Sequence, residues 1–284
     1  MKLSLKISIC FLILFVCLYK ETLAQDYEIE HITSEQGLPD NRLMSLYKDT
    51  YGFVWIGTKT GLSRYDGHNF RNYVLNPEAE KNIDKYVLFF LEKGMDSLFI
   101  ASYGSGVWVY NQRTEQFSKF EKIKEKGVCN MYFDSSGNLW ILTAGFGVAV
   151  YDRNYNKINQ FDKSNQAIYS NAFRAICEYK KNDIWLGSQL GLYRIDISKK
   201  TSVIKIYLNR IVDTTSLSQD WIESIYKSED NSLWIGTGEG VNRYLPTTDN
   251  FERITFPEKK IFFPTISIAS LKMRVKCILV PIPD

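Results

Sequence analysis

Short apolar segments separated by polar turns run through most of this chain. In the stretch where they are clearest, they predict four strands: Leu43 to Asp49, Phe53 to Thr58, Leu62 to Asp66 and Phe70 to Val74. Each segment is bounded by Gly, Asp, Asn or Thr, the residue types that favour turns. The pattern therefore predicts a unit of four short strands joined by tight turns.

This unit recurs five times. The copies read "WIGTKTGLSRYD", "FIASYGSGVWVYN", "WILTAGFGVAVYD", "WLGSQLGLYRID" and "WIGTGEGVNRYL". We call the first residue of each copy its anchor; the anchors are Trp55, Phe99, Trp140, Trp185 and Trp234. Successive anchors are 44, 41, 45 and 49 residues apart. A period of about 40 to 50 residues with several short strands is typical of a β-propeller. We therefore predict an all-β fold in which five four-stranded blades are visible.

Spacing inside the units supports four strands in each. A glycine follows each anchor by six or seven residues, and a Tyr or Ile follows that glycine by four. The strings "DTYG" and "DSSG" predict hairpin turns in which Asp caps the turn and Gly52 or Gly137 adopts a positive φ. Three glycines, Gly57, Gly187 and Gly236, lie inside a predicted strand. A missing side chain within a strand allows another backbone to approach closely, and in a propeller this would be the next blade.

Large aromatic residues at repeated positions are predicted to be core, because each blade must bury both faces against its neighbours. They are Trp55, Trp140, Trp185 and Trp234, with Tyr65, Tyr110, Tyr151 and Tyr244. Trp108 and Trp221 fall outside the repeated positions, and Tyr103 lies in the glycine-rich hairpin "SYGSGVW". These three aromatic residues are the candidates for ligand binding.

The N-terminus has the pattern of a signal peptide over residues 1–24. Lys2 and Lys6 precede a short apolar run from Ile7 to Leu18, and small residues end at Ala24. The run is short for a membrane span, which needs about 20 apolar residues. We predict cleavage after Ala24, a periplasmic location and no membrane span in this chain.

Charge and titratable residues exclude several function classes. The formal net charge is +3, and the signal peptide and the C-terminal tail carry the positive excess, so the repeat region offers no basic face for nucleic acid. His31 and His68 are the only histidines, and neither has a partner by spacing. Metal-ligand spacing, a nucleophile elbow and a phosphate-binding loop are all missing from the sequence. The sequence predicts no catalytic, cofactor-binding or metal-binding residue, and no enzyme activity.

Cysteines add little. Cys129 and Cys177 occupy offsets of opposite parity in equivalent strands of adjacent units, so they are expected on opposite faces. No disulfide is predicted between them.

The string "LPDNRLMSLYKDTYGFVWIGTKTGLSRYDGHNFRNY" resembles the repeat of two-component regulator propellers, and the other four units are looser copies. The opening "YEIEHITSEQGLPDN" is similar to the way these sensors begin after their signal peptide. The resemblance covers residues 26–260. "DTYGFVW" and "DSSGNLW" also share the outline of the quinoprotein dehydrogenase repeat, but the cofactor-binding and calcium-binding carboxylates of those enzymes cannot be placed here.

This resemblance implies the periplasmic sensor region of hybrid two-component histidine kinases of Bacteroidetes. Such sensors detect oligosaccharides and carry two propellers, a β-sandwich, a membrane span and a kinase, so this chain is expected to be a truncated N-terminal fragment that senses an oligosaccharide. The family also makes a homodimer an expectation. The alternative is a free-standing periplasmic binding or scaffold propeller. A propeller enzyme such as a lyase ranks third.

Residues 261–284 form a non-repeat tail. The repeat pattern stops after Phe263, and a shifted reading frame with suitable codons yields "PNNFNSILEDESKMYFGT", which resembles a sixth unit. We therefore hypothesise a frameshift near Phe263. The expected product is an incomplete, open seven-bladed propeller with exposed strand edges.

Overall fold

Each of the five predicted units forms a four-stranded antiparallel sheet in which consecutive strands pair. The structure is a computed structural model and describes residues 32–75, 86–164, 168–198 and 202–254. Blade 1 contains β1 (Leu43–Lys48), β2 (Val54–Thr58), β3 (Leu62–Tyr65) and β4 (Phe70–Tyr73). Blade 2 contains β5 (Val87–Lys93), β6 (Ser97–Ser102), β7 (Gly106–Asn111) and β8 (Gln116–Lys119). Blade 3 contains β9 (Val128–Phe133), β10 (Leu139–Thr143), β11 (Val148–Tyr151) and β12 (Lys157–Phe161). Blade 4 contains β13 (Phe173–Lys180), β14 (Asp183–Ser188), β15 (Gly191–Asp196) and β16 (Val203–Tyr207). Blade 5 contains β17 (Ile222–Lys227), β18 (Leu233–Thr237), β19 (Gly240–Leu245) and β20 (Asn250–Ile254).

The all-β propeller prediction is confirmed, and the strands predicted for the first unit agree with β1 to β4 to within one residue.

The hairpin turns follow the predicted chemistry. The Asp49 carboxylate accepts hydrogen bonds from the backbone N–H groups of Tyr51 and Phe53, at 3.0 and 2.9 Å, and Gly52 has φ +94°. The other oxygen of Asp49 accepts the indole N–H of Trp55 at 2.8 Å. Asp134 makes the equivalent bond to Trp140 at 3.0 Å. In these two hairpins one aspartate therefore caps the turn and satisfies the indole of the buried anchor.

Successive blades pack through their first strands, because β1 contacts β5, β5 contacts β9, β9 contacts β13 and β13 contacts β17. The close approach predicted at strand glycines is present at two of them. A Cβ on Gly57 would lie 2.4 Å from the Val87 carbonyl oxygen of blade 2, and one on Gly187 would lie 2.6 Å from the Ile222 side chain of blade 5. Larger residues at these positions would push neighbouring blades apart.

The anchors of the first four blades are core, as predicted. Trp55, Trp140 and Trp185 are at most 1% exposed and Phe99 is 3% exposed. Each tryptophan stacks on an aromatic ring of its own fourth strand or packs edge-on against the next blade; Trp185, for example, lies 5.3 Å from the Tyr207 ring and 4.7 Å from the Tyr244 ring. Hydrophobic burial between blades is the main stabilising term of the fold.

At two junctions between successive blades, an arginine of one blade contacts a tyrosine and an acidic residue of the next. In the first arginine clamp, Arg64 of blade 1 donates to the Tyr110 hydroxyl at 2.8 Å and pairs with Glu115 at 3.0 Å, both in blade 2. In the second, Arg194 of blade 4 donates to the Tyr244 hydroxyl at 3.2 Å and lies 3.7 Å from Asp249, both in blade 5. Both arginines follow their anchor tryptophan by nine residues.

Blade 5 differs from the prediction on one face. Trp234 is only half-buried, and its indole N–H reaches the Ser228 hydroxyl at a longer 3.3 Å. Arg243 takes the place of Arg64 and Arg194, yet it pairs only within its own blade, with Glu252 at 2.7 Å. Among the described residues no blade follows β20, so this face has no neighbour to bury it. The expectation that Trp234 is core is therefore corrected: its position is repeated, but its environment is not.

Several other expectations concern the ends and the cysteines. The predicted signal peptide (1–24) and tail (261–284) lie outside the described residues, as does the proposed frameshift. In the described part of the chain, no helix is long and apolar enough to span a membrane. Cys129 and Cys177 are free thiols, as expected. Burial raises the pKa of their thiols to about 12 and about 11, so both stay protonated at neutral pH.

Candidate ligand-binding site

A groove of about 510 Å³ opens at the end of blades 4 and 5 where the connections between blades run. We call it the Trp221 groove. It is lined by Gln189, Leu190, Asn209, Ile211, Ser218, Gln219, Asp220, Trp221 and Glu239. Its volume is in the range of sites that hold small ligands.

Two hairpins form the sides of the groove. In each, the hydroxyl residue that ends the repeated strand string, Ser188 of "WLGS" or Thr237 of "WIGT", hydrogen-bonds to the backbone of the turn. Ser188 accepts the backbone N–H of Leu190 at 2.9 Å and donates to the Gly191 carbonyl at 3.0 Å. Thr237 accepts the backbone N–H of Glu239 at 3.2 Å and donates to the Gly240 carbonyl at 3.1 Å. The Thr of the "WIGT" string thus fixes the turn beyond it.

The connection between β16 and β17 forms the floor, and side-chain hydrogen bonds hold it in place. The Asn209 amide donates to the carbonyls of Leu217 and Ser218 at 2.6 and 2.9 Å. Arg253, on β20, donates to the carbonyls of Asp213, Ser216 and Leu217 at 2.9 to 3.0 Å. The groove is therefore built on an ordered loop, which lowers the entropic cost of binding.

Of the three aromatic candidates, the structure places Trp221 in this groove. Its side chain is 41% exposed, while its carbonyl accepts the backbone N–H of Gly238 at 3.2 Å. The Arg174 guanidinium lies 5.7 Å from the indole ring centroid and 3.8 Å from the Glu223 carboxylate. A rigid backbone thus presents a broad apolar ring to the groove.

The other two candidates lie in blade 2, away from the groove. Tyr103 is half-buried in the β6–β7 hairpin, where its backbone N–H donates to the Tyr86 carbonyl at 3.0 Å. Trp108 packs against the cluster around Trp55 and donates its indole N–H to the Ser105 hydroxyl at 3.2 Å. The structure therefore does not bring the three candidates together.

Sequence reasoning did not identify the polar side chains beside Trp221. The groove brings together Gln219, Asp220 and Glu239, which come from the β16–β17 connection and the β18–β19 hairpin. The Asp220 carboxylate accepts the backbone N–H of Asn209 at 2.5 Å. The Gln219 amide donates to Glu239 at 3.3 Å, whereas its buried oxygen has no hydrogen-bond partner among the described residues. The length of the connection between β16 and β17, residues 208–221, was the one feature of the sequence that could have pointed to these side chains.

The Trp221 groove therefore presents an aromatic ring, amides and carboxylates. In residues 32–75, 86–164, 168–198 and 202–254, no group of three or more His, Cys, Asp or Glu side chains is placed to hold a metal ion. Such groups are chemically suited to stacking and hydrogen bonding.

Comparison with known proteins identifies the repeat. The family model described as "Two component regulator propeller" matches residues 37–60. The chain is also 33% identical over 58 residues to Histidine kinase P4 of Formosa agariphila, covering 20% of this chain and 4% of that protein. The chain thus carries the two component regulator propeller repeat, which confirms the resemblance seen in its sequence.

Solved structures show the same fold. The extracellular domain described as that of a hybrid two component system, BT3049 from B. thetaiotaomicron, matches with a TM-score of 0.67 and 23% identity, over 80% of this chain and 31% of that one. Streptogramin B lyase matches with a TM-score of 0.56 and 12% identity, over 78% of this chain and 71% of that one. The chain spans about a third of the length of the two-component relative.

Proposed function

We propose that this chain is a periplasmic ligand-sensing propeller, the N-terminal part of a hybrid two-component sensor histidine kinase, and that its ligand is an oligosaccharide. The observation that carries the proposal is the two component regulator propeller repeat in a chain whose fold matches an extracellular domain of such a system. The half-exposed Trp221, set beside carboxylate and amide groups, supports a sugar ligand, because sugars present apolar faces and many hydroxyls.

The outward face of blade 5 supports the proposal that the intact protein continues with a further blade. This face is formed by Tyr226, Trp234, Val241 and Arg243, which share one side of the sheet through the pairs Tyr226–Trp234 and Trp234–Arg243. Arg194, at the equivalent place in blade 4, reaches a tyrosine and an acidic residue of the next blade. Arg243 has the same position, and its Nε has no hydrogen-bond partner among the described residues. A sixth blade would bury this face and complete a third clamp.

We assign the chain no catalytic role of its own. Its likeness to streptogramin B lyase is at 12% identity and concerns the fold alone. Signal output would depend on a kinase located elsewhere in the intact sensor.

The ligand-binding part is tested on the purified chain from Gln25 onward. Intrinsic tryptophan fluorescence is titrated with hexasaccharides prepared from plant and algal polysaccharides, and hits are measured by calorimetry. A saturable change with at least one hexasaccharide is expected; no binding to any of them, by a chain that melts cooperatively, would contradict the proposal.

The truncation is tested on the gene. Nucleotide sequence through the codons for Phe262 to Asp284 and about four kilobases beyond is expected to encode further repeats, a membrane helix and a kinase in a shifted frame. An unrelated gene directly downstream would favour the free-standing binding propeller instead.

A further inference from the structure

The ionisable side chains that line the Trp221 groove are acidic. They are Asp220 and Glu239, and the remaining lining residues are polar or apolar without charge. The Arg174 guanidinium lies over the Trp221 ring and is paired with Glu223, and it is not a lining residue of the groove. An incoming carboxylate or sulfate would therefore meet two like charges and no cation among the lining residues, which is unfavourable in a partly desolvated site.

Three side chains of the groove, those of Gln219, Asp220 and Glu239, offer hydrogen-bond acceptors. The Glu239 carboxylate receives one long bond from the Gln219 amide, at 3.3 Å. The Gln219 oxygen is buried and has no partner among the described residues, and it lies so close to Gly238 that a Cβ there would be 2.3 Å from it. An acceptor left unpaired in this way has a desolvation cost. Turning the amide toward a donor in the groove would relieve that cost.

A second groove in the same molecule differs in its charged residues. It lies at the end of blade 3, has a volume of about 470 Å³, and contains Phe146, which is 62% exposed. Its charged lining residues are three lysines, Lys124, Lys126 and Lys157, and two acids, Glu125 and Asp162. Both grooves thus contain an exposed aromatic ring, but only the second has cationic lining residues.

We infer that the Trp221 groove selects an uncharged saccharide, which stacks on Trp221 and donates hydroxyls to Glu239, Asp220 and Gln219, and that it rejects saccharides bearing uronate or sulfate groups. This inference rests on the proposed sugar-binding function and adds the charge class of the ligand. Hydroxyls can donate to these acceptors, and the absence of ligand charge avoids repulsion by the two carboxylates.

The test measures calorimetric dissociation constants of the full chain for xylohexaose, cellohexaose, mannohexaose and hexagalacturonate. We expect at least one of the three neutral hexasaccharides to bind, and Trp221→Ala to weaken that binding at least tenfold. Phe146→Ala is the matched control: it removes an exposed aromatic ring from the lysine-lined groove and should change the constant by less than twofold. Glu239→Lys should weaken neutral binding and strengthen hexagalacturonate binding at this groove at least threefold.

The outcomes separate this inference from the proposed function. Hexagalacturonate that binds more tightly than every neutral sugar and is lost in Trp221→Ala overturns the inference while the sensor function stands. Neutral binding that Trp221→Ala leaves unchanged also overturns it, because the site is then elsewhere. Failure of all four sugars to bind overturns the proposed ligand class itself. Thermal melts of each variant verify that the fold is intact.

Discussion

The junction between blades 4 and 5 and the outward face of blade 5 present equivalent side chains in different surroundings. At the junction, Trp185 is fully buried and Arg194 bonds to Asp183, at 2.9 Å from each oxygen, and to blade 5. On the outward face, Trp234 is half-buried, and among the described residues Arg243 forms its ion pair within blade 5, with Glu252. A repeat therefore specifies which side chains a blade presents, whereas the neighbouring blade decides how much each contributes to stability.

The largest expected difference concerns the two tryptophans. Trp185→Ala should lower the free energy of unfolding by about 3–5 kcal/mol, because it empties a core position between blades. Trp234→Ala should cost about 1 kcal/mol, since water already reaches part of the indole. Urea denaturation of both variants measures the difference. Equal losses of stability would mean that the outward face of blade 5 is covered in solution, and would contradict the proposed difference between this face and the junction.

The second largest expected difference is in the stability lost when Arg194 or Arg243 is replaced. Arg194→Met leaves the buried Asp183 carboxylate without its cation and should cost about 2–3 kcal/mol. Arg243→Met should change stability by less than about 0.5 kcal/mol, because its pair with Glu252 is exposed to solvent. Denaturant midpoints compare them, with Arg194→Lys as the control that keeps charge but loses the two parallel bonds. A larger loss for Arg243→Met than for Arg194→Met would contradict the assignment.

The indole hydrogen bonds give a smaller contrast. Asp134 is buried, and Asp134→Ala leaves the Trp140 indole N–H unpaired in the core, at a cost of about 2 kcal/mol. Ser228→Ala removes the longer bond to the half-buried Trp234 and should cost about 0.5 kcal/mol, because water can replace the hydroxyl. Thermal unfolding measures both. Asp134→Asn, which retains one acceptor, should recover part of the loss; if it does not, the turn and not the indole bond is responsible.

The smallest effect is the pH dependence of the second arginine clamp. Burial by itself would raise the pKa of Asp249, but hydrogen bonds from Lys205, Tyr207 and Tyr244 outweigh it and lower the pKa to about 2. The clamp therefore stabilises the fold fully above the ordinary Asp pKa of about 4, and this contribution is lost as pH falls toward 2.

Melting temperatures between pH 6 and pH 2 measure this dependence. Asp249→Asn should flatten the acid side of the profile relative to the unaltered chain. Asp66→Asn is the control in a turn of blade 1, because the Asp66 carboxylate accepts the backbone N–H groups of His68 and Asn69 and takes part in neither clamp. An equal flattening there would show that the effect is not specific to the junction.

Much of the fold could be predicted from residue spacing. The period of the anchors, the glycines and the turn aspartates predicted four strands per unit, and β1 to β4 agree with that prediction. These features act over a few residues, within one hairpin or between adjacent strands, so they are legible in a single repeat. The burial of Trp55, Trp140 and Trp185 followed from the same periodicity.

The candidate site was less predictable. Trp221 stood out because it lies outside the repeated positions, but Gln219 and Glu239 did not, since neither belongs to a recognisable motif. They meet Trp221 only because a hairpin of blade 5 folds beside the β16–β17 connection. Trp108, chosen by the same reasoning as Trp221, packs against the core cluster around Trp55.

The sequence by itself determined the class of fold, the number of visible blades and the family repeat, because these depend on local spacing repeated five times. Only the tertiary structure decided which equivalent side chains are buried, paired or exposed. Burial and pairing are properties of two surfaces in contact. Arg194 and Arg243 have the same place in the repeat. Arg194 meets a neighbouring blade and forms a clamp, whereas Arg243, beyond which the described residues contain no blade, pairs with Glu252 of its own blade.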